Sequence, residues 1–318
     1  MGSVGDGDVP QDADLGRDQG GNAGDHRNVP GTRPRSDARR NAGRASREIS
    51  AIPYSQYMRT DVERVDWDVA GPELIRIWSR PDKEHVVIYG PSGSGKTVLE
   101  SWLMVQRAIR RNSGIVCFCT KRADRAVARI GFPVVSSWDD LRKHRQAILW
   151  ANPTANGSER KKHIAMVIEE CLDKLFVKES NNLIAFDEIA TVERLSPECR
   201  ELIDQYLREA RSADIDMILM KQRPQGVTRE VAAETVYTFS FKPKDAADAE
   251  RTAEIMGDKK GLTGVLLSLD RERYEFLAKS EKTGAVFISR LNGLNGTQMP
   301  QDTNSHFVKS PAGGVAER

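Results

Sequence analysis

The chain has 318 residues, 39% of them hydrophobic and 30% charged, with a formal net charge of +2. That length supports a sizeable core without disulfides, and no apolar run approaches the roughly 20 residues that span a bilayer, so an integral membrane protein is not expected. The charge balance is too close to neutral to argue for nucleic acid by itself.

Residues 1–50 are Gly, Asp, Arg, Asn and Ser with hardly an aliphatic side chain. Such a stretch buries too little apolar surface to offset the entropy of ordering, and a disordered tail is expected. Its charge is segregated: Asp6, Asp8, Asp12, Asp14 and Asp18 precede Arg33, Arg35, Arg39, Arg40, Arg44 and Arg47. That pattern suits a solvated tail or a basic arm for DNA or a protein partner. The opening residues lack the basic-then-apolar pattern of a secretory signal, so a cytoplasmic location is the expectation. Residues 292–318 are again rich in Gly, Asn, Gln, Pro and Ser, which predicts a second flexible end and places one ordered domain at 51–291.

Within that domain, short β-branched runs alternate with helical patterns, the signature of an α/β fold whose mainly parallel sheet is flanked by helices on both faces. Strands are predicted at His85 to Tyr89, Gly114 to Thr120, Gln146 to Ala151, Leu183 to Phe186, Ile215 to Met220 and Val236 to Phe241. Two more, at Arg273 to Ala278 and Ala285 to Ser289, extend the sheet. Helices are predicted at Lys96 to Asn112, Glu159 to Phe176, Pro197 to Arg211, Asp245 to Met256 and Leu262 to Leu267. The third of these has Ser196 as N-cap and proline at its first position. Trp67 and Trp78 precede the first strand and suit packing at the domain entrance, with stacking on adenine as the alternative. Arg107, Arg110 and Arg111 read as a solvated helix face. Cys117, Cys119, Cys171 and Cys199 lack CxxC spacing and read as reduced, buried thiols.

The first strand runs into Gly90-Pro91-Ser92-Gly93-Ser94-Gly95-Lys96-Thr97, followed by a helix. This is the Walker A pattern, the phosphate-binding loop. Gly90, Gly93 and Gly95 let the backbone turn tightly so that its N–H groups face a phosphate, where a Cβ would obstruct the oxygen. The helix N-terminus adds its dipole, Lys96 bridges β- and γ-phosphates, and the Thr97 hydroxyl ligates Mg2+. A carboxylate pair is also required. Asp187 and Glu188, ending an apolar strand, supply a Walker B element: Asp187 for Mg2+ and Glu188 to orient and deprotonate the attacking water. Two predicted strands lie between the motifs, which points to the P-loop class with an additional strand and a catalytic glutamate. No Asn-Lys-x-Asp specifies guanine, so ATP is the expected nucleotide.

The next strand ends in Gln222-Arg223-Pro224, after a helix that carries Arg211. Together with Asp187-Glu188-Ile189-Ala190, these residues resemble the FtsK/HerA superfamily of DNA-pumping ATPases, which includes conjugative coupling proteins and viral genome-packaging ATPases. The resemblance covers roughly 86–257. It implies a RecA-like core, a γ-phosphate sensor at Gln222, and an arginine at Arg211 acting across a subunit boundary, with Arg208 as competitor. Family members carry Asp-Pro-Lys-Gly after the second strand, whereas Cys119-Thr120-Lys121-Arg122 here keeps only the lysine. Carried over, the family implies an ATPase that moves double-stranded DNA as a homo-oligomeric ring, a hexamer among the candidate sizes. The smaller packaging and mobile-element members are the closer comparison. The alternative reading is a nucleotide-switched assembly or morphogenesis protein that binds ATP without moving DNA.

Overall fold

The computed structural model describes residues 62–78, 84–121, 125–151, 156–225 and 229–292. Apart from Asn292, the two predicted tails lie outside these residues. In chain order the elements are α1 (Trp67–Trp78), β1 (His85–Tyr89), α2 (Lys96–Arg111), β2 (Gly114–Phe118), α3 (Arg125–Ala128), β3 (Val134–Val135) and α4 (Trp138–Leu141). There follow β4 (Gln146–Leu149), α5 (Gly157–Leu175), β5 (Asn182–Phe186), α6 (Ile189–Val192), α7 (Pro197–Ala213) and β6 (Ile215–Lys221). The last are α8 (Arg229–Glu234), β7 (Thr235–Phe241), α9 (Ala246–Ile255), α10 (Lys259–Ser268), β8 (Glu275–Ser280) and β9 (Val286–Arg290).

The strands form one nine-stranded sheet in the order β3-β4-β2-β5-β6-β1-β7-β8-β9. Every pairing from β3 to β7 is parallel, and β8 and β9 add antiparallel at the far edge. This is the predicted α/β architecture. β6 lies between β1 and β5, with Val86 opposite Ile218 on one side and Ala185 opposite Ile218 on the other. The additional strand thus separates the phosphate-loop strand from the acidic one.

Successive strand residues face opposite sides of a sheet, and here the two sets feed two cores. Val87, Val116, Ile184, Phe186 and Leu219 pack with Ile168, Ile203 and Tyr206 of α5 and α7. Val86, Ile115, Leu183, Ala185 and Ile218 pack with Trp67, Trp78 and Leu103 of α1 and α2. Covering on both faces explains why the strands are apolar throughout and not alternating. The Ser196 hydroxyl accepts from the Cys199 N–H at 3.0 Å, the expected cap of α7.

One element was not predicted, and the reading of two arginines is corrected. α1 is a helix that sequence did not predict, and Trp67 and Trp78 are buried within it at 2% and 0% exposure. The Trp67 ring meets those of Trp102 and Phe276 edge-on at 4.9 and 5.2 Å, and the Trp78 Nε1 donates to the Glu84 carbonyl at 2.8 Å. Both tryptophans are packing residues, not adenine platforms. Arg107 is not on a solvated face: it is buried, paired with Asp216, and its guanidinium lies 4.6 Å from the Trp78 ring centroid. Arg111 also turns inward, 3.3 Å from Asp214, while Arg110 is exposed as expected.

Residues 63–65 run alongside β9, with the Val65 N–H donating to the Ile288 carbonyl at 2.9 Å and the Ile288 N–H to that of Glu63 at 2.8 Å. The Asn292 amide donates to Asp66 at 3.0 Å and Asp68 at 3.3 Å. The chain ahead of α1 and the residues past β9 are therefore tied together.

Candidate nucleotide site

The ends of β1, β2, β5 and β6 converge at the carboxyl edge of the sheet, where open α/β folds bind ligands. After β1, the Gly90 N–H donates to the Lys221 carbonyl at 3.2 Å, and the loop closes with the Ser94 N–H donating to the Pro91 carbonyl at 3.3 Å. Gly90 has φ 152°, and a Cβ there would sit 2.7 Å from the Ser94 Oγ and 2.9 Å from the Phe241 Cβ. A side chain at this position is excluded by the loop's own Ser94 and by Phe241 of β7. Gly93 has open space around it but φ 75°, so its requirement is conformational.

Lys96 opens α2 and is 8% exposed. Its Nζ donates to the carbonyls of Gly90 at 2.6 Å and Pro91 at 3.0 Å, holding the loop around itself. Burial pushes its pKa down to about 8, while Glu188 opposes the shift and Lys121 reinforces it. The Ser94 hydroxyl is buried without a hydrogen-bond partner among the described residues. A recess with a buried ammonium, an orphaned hydroxyl and a helix N-terminus fits an anion.

Asp187 follows β5 and is 1% exposed. Its carboxylate accepts from the Thr120 N–H and hydroxyl, both at 3.2 Å, and from the Cys119 thiol at 3.6 Å; Lys121 Nζ stands 3.7 Å away. Burial raises its pKa, and Lys121 followed by Thr120 counters that rise. Glu188, 7% exposed, has its pKa raised by burial, opposed first by Lys96 and then by a hydrogen bond from Gln222. The amide at the end of β6 therefore meets the second carboxylate.

These groups share one cleft of about 550 Å3. Loop residues Ser92 to Val98 line it together with Lys121, Asp187, Glu188 and Gln222, so Thr97 and Asp187 face the same space. Pro91 borders a neighbouring cleft of about 550 Å3, which shares Ser92 and Gln222 with the first and is edged by Arg223, Lys242, Lys244 and Arg271. Arg223 itself is tied to Asp245 at 2.8 Å and Asp248 at 3.0 Å. A hydroxyl and a carboxylate in one cleft suit a hard cation that keeps most of its waters, which is the fit expected for Mg2+.

Sequence reasoning missed Met220, Tyr274 and Leu291 as lining residues. It left a site role for Lys121 in doubt, although retention of that lysine was the signal that could have placed it. Tyr274 fell inside a predicted strand, and nothing in the local pattern showed that the chain turns there. Arg211 lies on α7, and its side chain is outside the described residues; the Arg208 side chain on the same helix is exposed.

A family model described as NTPase matches residues 85–249, more than half of the chain. Among solved structures, the chain is similar to the genome packaging NTPase B204 from Sulfolobus turreted icosahedral virus 2. In its complex with sulfate the TM-score is 0.50 at 14% identity, covering 66% of this chain and 96% of that one. In complex with ATP-gammaS it is 0.49 at 15% identity, covering 66% and 97%. The pCW3 conjugation coupling protein TcpA, monomer form with ATPgS, gives 0.44 at 13% identity, covering 72% of this chain and 63% of that one. At such identities the likeness is one of fold. A comparison with curated proteins gives no match. Among the described residues no helix is long and apolar enough to cross a membrane. The matched segment runs from the strand ahead of the phosphate loop, through both carboxylates and the glutamine, into α9, and on that match the chain belongs to the NTPase family, with a P-loop α/β fold.

Proposed function

We propose that the protein is an ATPase that couples hydrolysis to the movement of double-stranded DNA. The observation that carries the catalytic part is the convergence of Lys96, Asp187, Glu188 and Gln222 on one cleft. In this reading the backbone of Gly90 to Thr97 and the Lys96 ammonium hold the β- and γ-phosphates of ATP. Thr97 and Asp187 hold Mg2+, which when bound neutralises charge on the phosphate oxygens. Glu188 takes a proton from the attacking water, whose oxygen bonds to the γ-phosphorus as the bond to the bridging oxygen breaks. A carboxylate whose pKa burial has raised is a stronger base than a solvated one, which suits that task. Gln222, hydrogen-bonded to Glu188, reports loss of the γ-phosphate to the Arg223 loop and, through Asp245 and Asp248, to α9.

Support for the DNA part is the neighbouring cleft edged by Lys242, Lys244 and Arg271, which shares Gln222 with the nucleotide site. Cations there would meet phosphate backbone without reading sequence. The reading includes a homo-oligomeric ring of cytoplasmic location, in which Arg211 or Arg208 reaches a neighbouring site. The test is ATP turnover at low salt with and without long duplex DNA, together with the solution mass. Stimulation by DNA and a multimeric mass are expected. Turnover that DNA leaves unchanged, in a strict monomer, favours instead a nucleotide-controlled assembly protein.

A further inference from the structure

Tyr274 is 50% exposed, whereas Phe276, two residues on in β8, is fully buried. It is the one aromatic residue among the described residues that line the nucleotide cleft. Its backbone is left-handed, φ 54°, a conformation that bulky side chains rarely adopt and that clusters where the surrounding structure imposes it for a purpose.

The surroundings do impose it. The Asp270 carboxylate accepts from the N–H groups of Glu272 at 2.9 Å and Arg273 at 3.2 Å. The Glu275 carboxylate accepts from the Asp270 N–H at 2.9 Å and from Arg64 Nε at 3.1 Å, and the Tyr274 N–H donates to the Arg271 carbonyl at 3.2 Å. A turn pinned on both sides thus delivers the ring to the phosphate loop, where Tyr274 Cδ1 would lie 3.3 Å from a Cβ added at Gly95. Leu291, just past β9, adds an aliphatic wall to the same cleft.

Beyond its phosphates, a nucleotide presents a flat, largely apolar base with a π-face. A half-exposed aromatic ring beside an aliphatic wall is complementary to it. We propose that Tyr274, with Leu291 beside it, is the platform on which the nucleobase stacks. The proposal rests on the reading of the cleft as a nucleotide site. Both residues lie outside the 85–249 segment that matches the family, so the turn before β8 and the end of β9 complete a site whose phosphate-binding half belongs to the family core. Because every base has a π-face, such a platform registers the presence of a base more strongly than its identity.

The test compares binding of Mg-ATP and of inorganic tripolyphosphate with Mg2+, by calorimetry on the full chain. Three proteins are used: the unaltered one, Tyr274→Phe, and Tyr274→Asn, since asparagine tolerates a left-handed backbone while removing the ring. Tyr274→Asn is expected to weaken ATP about tenfold and to leave tripolyphosphate unchanged, with Tyr274→Phe retaining ATP affinity. Undiminished ATP binding by Tyr274→Asn would overturn the platform. So would an equal loss of both ligands, which would make the ring a packing support for Gly95. If the unaltered protein binds neither ligand, the nucleotide-site reading fails first and the platform fails with it.

Discussion

The Lys121 ammonium lies 3.7 Å from the Asp187 carboxylate, so the residue just past β2 compensates a charge buried at the end of β5. Lys121 is also the largest influence opposing the rise that burial imposes on Asp187. Its side chain is partly solvated, which limits the pair to about 1 kcal/mol. Lys121→Ala is therefore expected to lower kcat/KM for Mg-ATP roughly fivefold, with Lys121→Arg close to unaltered. Steady-state kinetics at saturating Mg2+ check it; an unchanged value for Lys121→Ala would remove the lysine from the site.

Trp67 does not line the nucleotide cleft and lies in a cluster of rings with Trp102, Phe239 and Phe276. Truncating so large a buried side chain costs about 3–5 kcal/mol. Trp67→Ala should show that loss in urea unfolding while its KM for ATP, measured below the new melting transition, stays put. A raised KM without destabilisation would instead restore the adenine role.

All four cysteines are buried and outside any disulfide, and burial pushes the Cys171 thiol up to about 12 and that of Cys199 up to about 11. In the unfolded chain these thiols titrate near 9. Between those values the unfolded state binds fewer protons than the folded one, so stability falls as pH rises above about 9. Substituting Cys171 and Cys199 by alanine should flatten that alkaline fall in thermal unfolding. At pH 8 a thiol reagent should label the native protein slowly and the denatured protein at all four positions.

Sequence was most informative where a pattern repeats along one element. β1 spans the predicted His85 to Tyr89 around its β-branched Val86 to Ile88, and Ser196 and Pro197 mark the start of α7. The carboxylates and glutamine were legible because each terminates an apolar strand. α1 was hidden because it contains Gly71 and Pro72, which argue against a helix. Gly71 is needed there: a Cβ would come within 2.8 Å of the Trp67 ring and 2.9 Å of that of Trp102. Arg107 was misread because its partner, Asp216, lies on a strand far along the chain. Tyr274 was misplaced because aromatic residues favour strands, whereas backbone N–H groups donating to the Asp270 and Glu275 carboxylates impose a turn.

Gln222 donates a hydrogen bond to Glu188, and removing that donor leaves the buried carboxylate less stabilised. Gln222→Ala should therefore keep Mg-ATP affinity within about threefold and lose roughly tenfold or more in kcat. Unimpaired turnover, measured beside equilibrium nucleotide binding, would show that the amide plays no part in hydrolysis.

The most direct test of the account is single-turnover hydrolysis by Glu188→Gln, with ATP binding measured on the same preparation. The substitution keeps the size of the side chain and removes the base. Binding of ATP with normal affinity and a rate of cleavage lower by about a hundredfold or more is the expected result. Cleavage at the unaltered rate would contradict the assignment of Glu188 as the group that activates water.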